Sequence, residues 1–103
     1  EAFVAWPPSG YVPYQVVYPR WSFAYPQADF SQATVTMTRE GQPLALQQNT
    51  VVNGYGENTL VWEPQANFAD APITDTSYQV TVSNVIIAGQ PQQFTYTVII
   101  FTP

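Results

Sequence analysis

The chain has 103 residues, 46% hydrophobic and 16% aromatic, enough for one domain with its own core and too apolar for a disordered tail. Two arginines, no lysine and seven carboxylates set the net charge at −5, so no basic surface exists to bind nucleic acid or an anionic membrane. Cysteine and histidine are absent, which removes disulfides, thiol chemistry, most nucleophilic triads and nearly all zinc or copper sites.

Along the chain, ten prolines mark turns and strand edges, where no ladder hydrogen bond is lost. Phe3 to Trp6 reads as a short first strand, ended by Pro7-Pro8-Ser9-Gly10 as an extended elbow or the inter-domain linker of a larger parent. Tyr14 to Tyr18, bracketed by Pro13 and Pro19, reads as an edge strand or extended packing segment, so residues 1–19 form a proline-rich strand and linker segment. Residues 20–103 then make the core of a single domain spanning 1–103. Arg20 to Tyr25 alternates, with Trp21, Phe23 and Tyr25 on one face. The next strand runs from Ser31 or Gln32 to Arg39, turning Ala33, Val35 and Met37 inward and Thr34, Thr36 and Thr38 outward. Threonine there keeps strand propensity without adding apolar surface. Glu40-Gly41-Gln42-Pro43 turns the chain into Leu44 to Gln47.

The glycines and asparagines of 53–58 supply the positive-φ positions of a loop, and Thr59 to Glu63 follows as a strand stopped by Pro64. Pro64 to Ser77 reads as a crossover between sheets, with one helical turn near Asn67 to Asp70. Tyr78, Val80 and Val82 then share one face and Gln79, Thr81 and Ser83 the other, so one face is buried and one is wet. Val85 to Ala88, a turn at Gly89-Gln90-Pro91 and a final strand from Gln93 to Phe101 complete the chain. Phe94, Tyr96, Val98 and Ile100 form the last strand's inner face. Its outer face starts polar, with Thr95 and Thr97, and ends apolar, with Ile99 and Phe101, which predicts cover on both sides there. About seven short strands with no 3.6-residue period predict an all-β sandwich of two antiparallel sheets without a disulfide; a small barrel is the alternative.

Three stretches resemble a bacterial immunoglobulin-like or fibronectin type III-like domain: Trp21-Ser22-Phe23, Asn58 to Pro64, and Asp75 to Val82 with Tyr78 at a tyrosine corner. More narrowly, Trp6-Pro7-Pro8, Ala28-Asp29-Phe30, Gly54-Tyr55-Gly56 and the strand at Tyr96 are similar to the module that follows a CAP domain (cysteine-rich secretory protein superfamily) in exported bacterial proteins. The resemblance implies an extracellular or cell-surface accessory domain that spaces or positions its neighbour, the CAP domain being one such partner, with no activity of its own. The absence of cysteine departs from antibody domains, so Trp21, Trp62 and Tyr78 supply the core bulk that a disulfide pair would occupy.

No catalytic, cofactor-binding or metal site is read from the residues, although Glu57, Glu63, Asp70 and Asp75 supply carboxylates in number. A weak calcium site at Asp70 and Asp75 is the open question among metals. The apolar end of the last strand gives a candidate docking surface of Trp6, Ile99 and Phe101. Tyr11, Tyr14 and Tyr55 are the aromatics available to stack on a glycan or to meet a cell-surface protein, which is the alternative function. Neither nucleic acid nor membrane insertion is expected: no apolar run reaches the ~20 residues of a spanning helix, and no export signal opens the chain.

Overall fold

A computed structural model describes residues 3–13, 21–43, 48–52, 58–64 and 75–101. Among them are nine strands: β1 (Val4–Trp6), β2 (Gly10–Pro13), β3 (Trp21–Ala24), β4 (Thr34–Arg39), β5 (Gln42–Pro43), β6 (Gln48–Val52), β7 (Thr59–Pro64), β8 (Thr76–Ile87) and β9 (Gln90–Phe101). They form a four-stranded sheet in the order β1-β3-β7-β6 and a five-stranded sheet in the order β2-β9-β8-β4-β5. The run β1-β3-β7-β6 opposite β9-β8-β4 is the strand order of an immunoglobulin-type sandwich. The residues 44–47, the helical turn near 67–70 and the strand expected at 14–18 lie outside the described residues.

The architecture corrects two expectations. The described residues contain more than seven strands, and one pair is parallel: β2 runs alongside β9, with Gly10 opposite Val98 and Pro13 opposite Phe101. The parallel pair comes from the N-terminal segment, and the two-residue β5 adds to the count after β4. β1 pairs with β3 in one sheet, then the chain passes through Pro7-Pro8-Ser9 and enters the other sheet as β2. Pro7 is buried at this passage, its peptide bond with Trp6 is cis, and Gly10 adopts φ 97°, open to glycine at no steric cost.

Alternation places the core as expected along most strands. Trp21, Phe23, Val35, Met37, Leu60, Tyr78, Val80, Val82, Val98 and Ile100 are all buried in one cluster. Trp62 stands opposite Trp21 in the β3–β7 register. One end of this core is aromatic. The Phe3 ring stacks on Phe94 at 4.4 Å and on Phe23 at 5.9 Å, and Tyr96 meets Phe23 edge-on at 6.3 Å. Such pairs add about 0.5–1.5 kcal/mol each beyond the area they bury. Phe3 therefore ties the first strand's sheet to the inner face of β9.

Two departures from simple alternation keep apolar residues inside. Strand β8 is continuous, where the sequence reads as two strands, but its pairing with β9 slips between Val82 and Val85. Ser83 and Asn84 together oppose one residue of β9, and Asn84 takes φ 59° within this bulge. Without the extra residue Val85 would point to solvent; with it, Val85 is buried. The loop after β3 folds under the sandwich as well. Asp29 exchanges two backbone hydrogen bonds with Ile86 (2.8 and 3.0 Å), and Asn58 Nδ2 donates to the Ala28 carbonyl at 2.7 Å. Ala28 and Phe30 are thereby buried.

Both tight hairpins use two residues at positive φ, the geometry that matches strand twist. Glu40 (49°) and Gly41 (80°) join β4 to β5, and Ala88 (51°) and Gly89 (77°) join β8 to β9. The second turn sits one residue earlier than Gly89-Gln90-Pro91, with Gln90 and Pro91 already in β9.

Candidate functional site

The outer face of the five-stranded sheet follows from the register. Thr36, Thr81 and Thr95 lie in one row across β4, β8 and β9; Thr38, Gln79 and Thr97 lie in the next. Thr81 Oγ1 and Thr95 Oγ1 share a hydrogen bond of 3.1 Å, and Ser83 Oγ donates to Gln93 Oε1 at 3.3 Å. None of these side chains carries charge. This part of the face is wet, neutral and internally hydrogen-bonded.

One row further along, the chemistry changes. Ser77 stands opposite Ile99, and β2 brings Tyr11 to the other side of Ile99. The Tyr11 ring leans on Phe101, with centroids 6.3 Å apart and planes at 58°. Tyr11 is 67% exposed, while Ile99 and Phe101 are half-buried. The parallel β2–β9 pairing thus builds an apolar corner of Tyr11, Ile99 and Phe101 on an otherwise polar surface.

This arrangement redistributes the expected residues. Ile99 and Phe101 come together, as the sequence suggests, but Trp6 belongs to the other sheet. It stands opposite Ser22 on β1, 57% exposed beside Val4 on that sheet's outer face, while Ala5 between them packs against the core. Tyr11, read from sequence as a glycan-stacking ring, takes the place beside Phe101. Tyr14 and Tyr55 lie outside the described residues. The signal for Tyr11 is the alternation Tyr11-Val12, outward then inward, but its partner strand is distant in sequence.

Tyr78 is buried as the third residue of β8, opposite Arg39 and Val98. The strand head before it is fixed to the β4–β5 turn: Ser77 N–H donates to Glu40 Oε1 at 2.6 Å, and Glu40 N–H donates to the Ser77 carbonyl at 2.8 Å. Its place is structural, as its strand position suggests.

Of the carboxylates, Glu57 and Asp70 lie outside the described residues, and Asp75 is exposed at the head of β8. Asp29 accepts from Ser31 N–H at 2.8 Å, and this bond, with help from the Ser31 hydroxyl, holds its carboxyl below the usual aspartate range. Burial pushes the Tyr96 hydroxyl far above the ordinary tyrosine range, so it stays protonated. Among the described residues, no group of three or more acidic side chains is placed to hold a metal ion, and no helix could cross a membrane. Neither the models of known protein families nor the curated protein sequences match this chain.

Proposed function

We propose that this chain is a non-catalytic extracellular module of an exported bacterial protein that positions a neighbouring domain of the same polypeptide, a CAP domain by the resemblance above. The observation that carries this reading is the apolar corner of Tyr11, Ile99 and Phe101 at the edge of a neutral hydroxyl-rich face.

Size decides which kind of partner suits it. A stable complex between separate proteins buries about 1,600 Å² in total, far beyond what three side chains cover. Completing the burial of these three would contribute a few kcal/mol at roughly 25 cal/mol per Å². That is too little to offset the loss of free translation and rotation between separate molecules. It suffices when a linker already holds the partner at an effective concentration near the millimolar range. The corner is therefore suited to a tethered neighbour.

The test is 15N relaxation on the polypeptide that contains this domain and its upstream neighbour. Docking predicts one shared rotational correlation time, which Ile99→Thr with Phe101→Ser splits into two. Independent tumbling of the unmodified protein would refute the reading.

The exposure of Tyr11 supports a second reading, in which its ring stacks on a sugar of a glycan or of a cell-surface protein. An NMR titration with oligosaccharides to millimolar concentration tests it through shifts at Tyr11. No shift ends that reading and leaves the first untouched.

A further inference from the structure

The last strand is flanked unequally. β8 runs along the whole of β9 on one side, whereas β2 covers the other side only from Val98 to Phe101. Gln90 to Thr97 therefore presents an edge that no described strand occupies. Sheet edges of this length are usually blunted by lysine, by inward-pointing charge or by a bulge. This one has none of them: Gln90 to Phe101 contains no ionisable group except the Tyr96 hydroxyl, which is buried, and the bulge of the hairpin sits on β8. Pro91 blunts only its first positions. Behind the edge, the Phe3 ring stacked on Phe94 closes the core, so an added strand need not open it.

The geometry points to antiparallel pairing of this edge with the same edge of a second copy of the chain. Three features favour a copy over a foreign segment. A two-fold axis centred on Gln93 or Phe94 sets outward residues opposite outward residues, because strand side chains repeat every two positions. With the axis on Phe94, each copy's Gln93 meets the other's Thr95 on the outer face, and the existing Thr81–Thr95 hydrogen bond shows that such hydroxyls pair across strands. With no charge on the strand, self-pairing puts no like charges opposite, while a charged peptide would find nothing complementary. The pairing joins two five-stranded sheets into one and leaves the Tyr11 corner free, so it is independent of the docking proposed above.

Sedimentation equilibrium of the purified chain from about 10 µM to about 1 mM, with residue-resolved amide exchange, tests this. A reversible dimer is expected, stronger at high salt because each copy carries −5. Amides within Gln90–Thr97 should gain protection as it forms. Thr95→Lys, which places like charges across the two-fold, should raise the dissociation constant tenfold or more; Gln93→Lys serves if circular dichroism shows Thr95→Lys unfolded. A monomer at the highest concentration, or a dimer that neither lysine weakens and that leaves the edge amides exchanging, would overturn the inference.

Discussion

The two ends of β9 share one inner face and differ in everything else. From Val98 to Phe101 the strand is paired on both edges, and its outer face carries Ile99 and Phe101 against Tyr11. From Gln90 to Thr97 one edge is bare among the described strands and the outer face is threonine and glutamine. A strand's inner face answers to the core, which runs past both ends. Its outer face and its free edge answer to whatever lies outside. The comparison separates what folds the domain from what the domain can meet, and it assigns two distinct surfaces to adjacent parts of one strand.

Neighbouring positions on β9 should respond oppositely to the same substitution. Val98→Asp puts a carboxylate into a fully buried site and should cost more than about 4 kcal/mol in denaturant unfolding, enough to leave the domain unfolded. Thr97→Asp, outward and exposed, should stay within about 0.5 kcal/mol. Equal effects would mean that the faces of β9 are wrongly assigned.

Two tyrosines sharpen the contrast between corner and core. Tyr78→Phe should keep the fold, and a cost of about 1–3 kcal/mol is expected from the corner hydrogen bond that the resemblance implies; a change of a few tenths would mean that Tyr78 is no corner. Tyr96→Phe removes a buried hydroxyl that has no hydrogen-bond partner among the described residues, and it should be neutral or stabilising by up to about 1 kcal/mol. The same hydroxyl sets an alkaline limit. Its folded pKa lies above the unfolded value of about 10, so its contribution is complete below pH ~10 and is lost as pH rises beyond it. Tyr96→Phe should therefore flatten the fall in stability above pH ~10 in alkaline unfolding curves.

Smaller effects test the turn and the corner. Ala88 holds a left-handed conformation in the two-residue turn that asparagine tolerates better, so Ala88→Asn should stabilise by about 0.5–1 kcal/mol. Ile99→Thr should cost less than about 1 kcal/mol in the isolated domain, because its loss falls on docking and not on the core.

The sequence made legible whatever follows from alternation within one strand. Trp21, Phe23, Val35, Leu60, Tyr78, Tyr96 and Val98 all sit in the core where period two places them. It did not reveal pairings between distant segments. Gly10 to Pro13 is a four-residue strand between prolines, and nothing local says that its partner is Val98 to Phe101 or that the pair is parallel. Trp6 reads as a neighbour of Ile99 and Phe101 for the same reason: apolar residues are visible in sequence, but the sheet to which each belongs is not. The bulge at Ser83 and Asn84 looks like a strand break because it interrupts the period, although its effect is to continue the buried row to Val85. Phe30 was hidden by the turn residues around it, whose hydrogen bonds to Ile86 and from Asn58 carry it under the core.

The division of β9 is open to one direct measurement, residue-resolved amide exchange on the dilute chain. Amides directed away from β8 should be protected within Val98–Phe101, where β2 receives them, and should exchange freely within Gln90–Thr97. Uniform protection along the strand, or free exchange at its C-terminal third, would contradict the account.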